Sequence, residues 1–403
     1  MAEFPLSADD LTRFDHHSAN HRCGAERRWA QMRLMDRLPR SEKYGGFHIV
    51  TRYADLRKAS AQHSIFSTAM GVALPDEQRT PHIPEEVDPP LHREYRRIVE
   101  PYLSRAAIAE LEPAARRIVV ELLDAFGSRT EIEFVRGFAE PLPVYFALQA
   151  FGFPRQDAEV LNDLVARLIH GRASDDGKHA SRTLTDYIEA LLARKAATAT
   201  SGSDDVVTAI AHGSVSNRPL TLEEQVSMTR LLLFGGFTTV QYALSYALYL
   251  LATHPELTRQ LGENPGMLDT AIEEFLRLAS PATYLRRTVM SDTELGGTAL
   301  HPGDQVLLCF GAGNRDPTVF ERPEDVVLDR KRNPHVAFGC GAHHCVGAWL
   351  ARLEMRVALE ELLRRYQGFQ LDPAGCVKWG SGETQGLISL PLIVEPRVHR
   401  SAE

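Results

Sequence analysis

At 403 residues the chain is long for one hydrophobic core, although one large domain fits as well as two. Its 44% apolar and 24% charged residues exclude a disordered, fibrous or low-complexity protein. A net charge of -8 argues against nucleic-acid or anionic-membrane affinity, which selects a basic surface, and points to a small-molecule partner.

The N-terminus, MAEFPLSADD, lacks a basic start and an apolar stretch, and no apolar run reaches the roughly 20 residues of a membrane span. Residues 1–20 read as an extension, and the expected location is the cytoplasm. Cys23, Cys309, Cys340, Cys345 and Cys376 are few and odd in number, so reduced thiols are expected, with at most one or two functional. Gly46–Thr51 has the β-branched content of a strand, and YADLRKA after it reads as a helix. Helical periodicity then dominates Ile108–Phe126, Ala158–Ile169, Leu184–Ala196, Thr221–Ala252 and Leu268–Leu278. The stretch AATATSGSDD near 196–205 reads as a loop between helices. Strand-like Gln305–Phe310 and Leu387–Val394 complete a mainly α chain with small β-sheets.

Within the helix that starts at Thr221, Thr221 and Glu224 form a capping box, and Leu231–Leu251 is apolar enough for a central position. Its middle reads Phe234-Gly235-Gly236-Phe237-Thr238-Thr239. Two adjacent helical glycines cost about 1 kcal/mol each against alanine, so something requires the missing side chains. Thr238 and Thr239 can bond back to carbonyls four residues earlier and bend the helix.

Further on, NRDPTVFERPEDVVLDRKRNPH is a long irregular stretch of the kind that serves function, and a site is expected just after it. There FGCGAHHCVG, residues 338–347, runs into a helix on which Met355, Leu359, Leu362 and Tyr366 recur. Cys345 thus sits at or before a helix N-terminus, where unpaired amides and the dipole favour a thiolate. Gly339, Gly341 and Gly347 let backbone approach a flat cofactor. Structural zinc on Cys340, His343, His344 and Cys345 is the competing reading, but these lack a second, spaced pair.

Phe338, Gly341, His343, Cys345 and Gly347 match the signature Phe-x-x-Gly-x-[Arg/His]-x-Cys-x-Gly, and on it the chain resembles the cytochrome P450 family. The resemblance makes Cys345 the thiolate ligand of haem iron and His343 a partner of a haem propionate. Other matches follow in family order. Glu274 and Arg277 match the Glu-x-x-Arg element, a charge network with the irregular stretch. In SPATYLRRTV, Arg287 aligns with the propionate-binding arginine and Arg286 competes with it. His92 and Arg96, in DPPLHREYRR, match the family's His-x-x-x-Arg helix, which also serves propionates. Thr239 matches the threonine that hydrogen-bonds O2 and orders water, while Thr238 stands where the family carries an acid.

The resemblance covers about residues 45–395 and is nearest the soluble camphor-hydroxylase-like bacterial members. It implies one triangular domain enclosing haem b, and insertion of one oxygen atom from O2 into a small apolar molecule, by hydroxylation or O-dealkylation. The electrons would come from NAD(P)H only indirectly, through a separate ferredoxin-type partner docking near Arg93, Arg97, Arg352 and Arg356. By family position the pocket involves Leu231, Phe234, Gly235, Thr283, Tyr284 and Leu285, with the 66–84 segment and the Gly382–Leu387 turn. A monomer without nucleic-acid or membrane partners is expected. A peroxide-driven enzyme and a non-catalytic haem sensor are the rival readings.

Overall fold

The computed structural model describes residues 8–18, 21–22, 24–75, 81–171, 174–198 and 205–397. Cys23 and residues 199–204 of the expected loop lie outside them, as does part of the N-terminal extension. Helices dominate, and the strands gather into small sheets as expected. The largest sheet is ordered Arg40–Ser41, Phe47–Val50, Gln305–Cys309, Tyr284–Val289, Phe66–Ser67, with one parallel pair between Phe47–Val50 and Gln305–Cys309.

Strand alternation divides this sheet into two faces. Phe47, Ile49, Tyr284, Leu307 and Cys309 pack against Trp29 of the Ala25–Arg33 helix. Val50, Val289, Val306 and Leu308 face a second cluster with Leu56 of the Tyr53–Ala61 helix.

The expected Ile108–Phe126 helix is two helices, Arg105–Ala109 and Glu112–Asp124. Pro113 explains the break, because proline clashes with a preceding turn but suits the first turn of a new helix. Leu387–Val394 likewise divides into Leu387–Ser389 and Pro391–Pro396. Thr221 does cap the Leu222–Thr253 helix through a capping box with Glu224, and most of that helix is buried. By length and composition this helix could cross a membrane, contrary to the expectation that no segment could, but it serves here as a core helix. It runs unbroken across the two glycines. Gly236 lies where a Cβ would stand 3.3 Å from Phe151 and 3.4 Å from Ala147, so this glycine lets the Pro141–Phe151 helix approach.

Behind the cysteine loop the Leu268–Ala279 helix carries a fully buried ion pair. Glu274 accepts from Arg277 Nε and Nη2, both at 2.8 Å, from Arg330 Nε at 2.9 Å and from the Val327 amide at 3.0 Å. Arg277 in turn donates to the carbonyls of Asn314, Pro323 and Asp325. The irregular stretch is therefore shaped by two buried charges satisfying its backbone. Arg330 was not foreseen, since nothing in the run DRKR singles it out.

Removing one partner of such a buried pair leaves the other charge uncompensated. Arg277→Ala should lower stability by about 3–5 kcal/mol, read as a fall in the thermal unfolding midpoint. Arg277→Lys should rescue little of it, because an ammonium cannot reproduce the fork. An unchanged midpoint in Arg277→Ala would show that the pair contributes nothing.

Candidate active site

The loop that carries Cys345 is closed by its own backbone. The Cys345 amide donates to Phe338 O at 2.8 Å, and the Gly339 amide donates to Val336 O at 2.9 Å. Gly339 and Gly341 both have positive φ, at 68° and 76°. A Cβ on Gly341 would stand 2.4 Å from the Ser60 carbonyl oxygen, so the loop touches the Tyr53–Ala61 helix backbone to backbone. Gly347 ends the loop as the N-cap of the Ala348–Arg365 helix, three residues before which Cys345 sits, as expected.

Cys345 lines a cavity that includes Thr68, Val72, Glu85, Leu231, Gly235, Thr239, Leu285 and Arg287. Cys345 is exposed to the cavity, yet the protein atoms crowded around its sulfur push the thiol pKa up, while the Gly347 amide and Arg96 pull the other way. The thiol thus has a backbone amide aimed at it.

Five basic side chains line the same cavity: His92, Arg96, Arg287, His343 and His344. Arg287 is buried, its Nη1 donates to the Arg286 carbonyl, and among the described residues no carboxylate pairs with it. Burial lowers its pKa to about 10. The His92 and His343 rings lie 4.3 Å apart, and His92 Nδ1 is buried without a hydrogen bond. Burial and then Arg96 push His92 down to about 4, and burial and then Arg287 push His343 down to about 3. Arg96 donates to the carbonyls of Ala342 and His344, at 3.2 and 2.5 Å, and to Glu100 at 2.5 Å, so it clamps the cysteine loop. A buried cation without a counter-charge, Arg287, and an unbonded imidazole nitrogen, His92 Nδ1, beside a thiol and an apolar slot, suit a flat apolar body bearing carboxylates. The residues present therefore fit haem b.

The remaining expected residues separate by geometry. Arg286 and Arg287 are neighbours on the Tyr284–Val289 strand and face opposite ways. Arg286 donates to Gly71 O and Gln305 Oε1, both at 3.1 Å, and does not line the cavity. Tyr284 shares the Arg286 side of the strand and is a core residue, its hydroxyl 2.8 Å from Trp29 Nε1 and from His21 Nε2. It is not a pocket residue, and neither is Thr283, whose hydroxyl donates to Ser280 O. Leu285 alone of that trio lines the cavity, joined by Pro281 and Ala282.

On the Leu222–Thr253 helix the lining comprises Met228, Leu231, Leu232, Gly235, Gly236, Thr239, Val240 and Ala243. At about 100° per residue these occupy one face, and Phe234 and Thr238 fall beyond its edge. Phe234 packs beside His82, and Thr238 is buried away from the cavity, so neither takes its expected place in the lining. Gly235 faces open space, with nothing within 4 Å of an added Cβ. The Thr239 hydroxyl donates to the Gly235 carbonyl at 2.9 Å. The 66–84 segment contributes Thr68, Val72 and Pro84, its residues 76–80 lying outside the described set, and the Gly382–Leu387 turn contributes none. Sequence reasoning missed Val240 and Ala243, which the helical repeat from Gly235 and Thr239 would have given.

The zinc reading fails, because Cys340, His343, His344 and Cys345 do not gather their ligand atoms at one point. Arg352 and Arg356, expected to supply positive charge behind Cys345, are neutralised. Arg352 makes a two-pronged bond to Glu273 at 2.6 and 2.7 Å, and Arg356 pairs with Glu112 and Glu360. Arg93 and Arg97 are exposed.

The contact at Gly341 gives a direct test of the loop. Gly341→Ala must adopt a positive φ at a cost of about 1–3 kcal/mol, and must also push the Ser60 backbone away. The variant should bind less haem per chain after reconstitution, and an unchanged haem content would show that the approach is not needed.

The comparisons agree with this geometry. The family model described as Cytochrome P450 matches residues 148–388. The chain is 30% identical over 388 residues to a steroid C26-monooxygenase of Mycobacterium tuberculosis, covering 95% of this chain and 97% of that one. It is 29% identical over 380 residues to the linalool 8-monooxygenase of Pseudomonas putida, covering 87% and 90%. The solved structure of CYP101J2 superposes with a TM-score of 0.86 at 27% identity, covering 99% of this chain and all of that one. The chain belongs to the cytochrome P450 family and has its fold: it is a haem b monooxygenase that uses O2, with NAD(P)H acting through redox partners.

Proposed function

We propose that this chain, as one monomeric cytoplasmic domain, inserts an oxygen atom into a small, largely apolar molecule by hydroxylation or O-dealkylation, with electrons from a ferredoxin-type donor. The observation that carries this reading is the shared cavity: the Cys345 thiol, the Thr239 hydroxyl and the counter-ion-free Arg287 all open into it. Its lining over the long helix and the Leu285 strand is apolar, which fits an aliphatic ring or chain system. The named activities of the relatives, on a steroid and on linalool, support a substrate of that kind.

In this reading Cys345 holds the iron, with the Gly347 amide donating to its sulfur. His92, Arg96, Arg287 and His343 hold the haem carboxylates, with Arg96 also fixing the loop. Bound haem supplies O2 activation, and its thiolate ligand favours O–O cleavage. Thr239 then positions the water through which protons arrive. Its hydroxyl hydrogen is committed to the Gly235 carbonyl, so its oxygen lone pairs are free to accept from ordered water in the cavity. Thr238, buried outside the lining, takes no direct part, and water replaces the acid that other family members carry there. Arg93 and Arg97 serve the donor's acidic surface, an attraction that salt weakens.

Two expectations check these roles. Cys345→Ala and Cys345→His should abolish the red-shifted Soret band of the reduced CO complex, whereas Cys340→Ala should keep it; loss of the band only in the Cys340 variant would reassign the ligand. Thr239→Ala should lower product formed per NADH and raise peroxide release, while Thr238→Ala leaves both near the parent values. Unchanged coupling in Thr239→Ala, or turnover with H2O2 but none with electron-transfer partners, would favour a peroxide-driven enzyme.

A further inference from the structure

The chain from 81 to 88 passes the cavity at Pro84 and Glu85, and it carries three carboxylates, two of which are bonded into the fold. Glu86 is buried and accepts from the His82 amide at 2.8 Å and from the Val72 amide at 3.1 Å. Asp88 accepts from the Ser67 hydroxyl, and from the Thr68 amide at 3.0 Å. Glu85 differs: among the described residues its carboxylate takes no hydrogen bond, and His82 Nδ1 stands 3.8 Å from it, beyond hydrogen-bond reach. It is also the one acidic side chain among the described residues that line the cavity with Cys345 and Thr239. On the basis of the monooxygenase reading, we propose that Glu85 determines substrate choice, and that the substrate is an apolar molecule bearing one ammonium group that pairs with this carboxylate.

The cations of the cavity have other work. His92, Arg96, Arg287 and His343 are the side chains that fit the haem carboxylates, and Arg96 also pairs with Glu100. Glu85 forms a salt bridge with none of them, yet its negative charge acts against the burial that lowers the Arg287 pKa, so the carboxylate acts on the same space. Two haem carboxylates arriving there would make the field around Glu85 more negative still. A cation on the substrate restores the balance.

Most of the cavity wall is apolar, with Pro84, Leu231, Leu232, Val240 and Leu285 among its members. A wholly apolar ligand that filled this space would strip water from the carboxylate and offer nothing in return, which is costly for a charged group. An ammonium offers an opposite charge in a medium that screens it less than water does. Glu85 thus discriminates twice, attracting a cation and rejecting its neutral counterpart.

The segment is anchored on both sides of this residue. The Ile83 amide donates to Ser227 Oγ at 2.9 Å, and Ser227 Oγ donates to the Pro81 carbonyl at 2.5 Å. Ser227 directly precedes the lining residue Met228 on the long helix. The His82 ring meets Phe234 of the same helix edge-on, with centroids 5.5 Å apart. With Glu86 holding the other side to Val72, Glu85 stands between two fixed points, and pairing with a ligand requires little further ordering of the chain. No bond of the fold runs through its carboxylate, so the architecture alone gives no reason for an acid at this position.

The test uses the haem-loaded protein, first checked for the red-shifted Soret band of its reduced CO complex. Without that band the monooxygenase reading fails, and this assignment with it; with the band present, the assignment is judged alone. Ferric protein is then titrated with phenethyltrimethylammonium, which has no lone pair for iron, and with its neutral isostere in which carbon replaces nitrogen. Binding is read from the Soret shift and from equilibrium dialysis. The ammonium should bind roughly tenfold more tightly than the isostere. Glu85→Gln should remove that preference by weakening the ammonium alone, whereas Glu85→Asp should keep part of it. Thermal unfolding of Glu85→Gln should match the parent, because the carboxylate supports no bond of the fold. No binding of the ammonium, equal binding of the two probes in the parent, or a preference that survives in Glu85→Gln overturns the assignment.

Discussion

A buried carboxylate, Glu274, organises the half of the molecule on which the cysteine loop is built. Held between Arg277 and Arg330, it fixes Arg277 against the Asn314 carbonyl. The Asn314 side chain donates to Ser280 Oγ and accepts from the Val336 amide at 2.7 Å. Val336 O then accepts from Gly339, and Phe338 O from Cys345. Hydrogen bonds therefore run from the interior of a helix, through an otherwise structureless stretch, to the backbone of the cysteine loop. Regular secondary structure could not supply this rigidity to a loop that must curve, so paired charges satisfy its carbonyls instead.

The cavity follows the opposite logic. There the polar groups converge without satisfying one another: two imidazoles at 4.3 Å, a buried guanidinium without a carboxylate, and a thiol raised by the protein atoms crowded around it. Such an arrangement is costly in the protein alone and favourable around an anionic, apolar guest. Affinity for the cofactor is thus built from polar groups that the chain leaves uncompensated in its own fold, whereas the Glu274 network is balanced within it.

Most of the framework was legible because it depends on local chemistry. The capping box at Thr221, the helix after Gly347 and the Glu274–Arg277 spacing are short-range patterns with a single physical meaning, and each lies where its residues predict. What escaped was decided by direction and by long-range approach. Phe234 and Thr238 share a segment with Gly235 and Thr239 but not a helix face. Thr283, Tyr284 and Leu285 are consecutive, yet only Leu285 reaches the cavity. Arg330 could not be chosen from its basic neighbours, because the choice is made by Glu274, 56 residues earlier. The break at Pro113 was readable in principle, and there apolar periodicity hid a backbone constraint.

The parity of the Tyr284–Val289 strand has a consequence for how this sequence can change. Its two arginines do unrelated work, one on each side of a sheet, and only the odd-numbered one reaches the cavity. Both neighbours in the sheet hold that phase, Leu308 opposite Leu285 and Val289 opposite Phe66. Deleting or inserting one residue between Ser280 and Leu285 would slip the phase and exchange the faces, turning Arg287 towards Gln305 and Tyr284 into the cavity. Because arginine occupies both positions, such a frame error would still present a guanidinium to the cavity. The adjacent pair is thereby a redundancy: it would let the chain cross a length change at this bend and keep a cation in place while the rest of the strand readjusts.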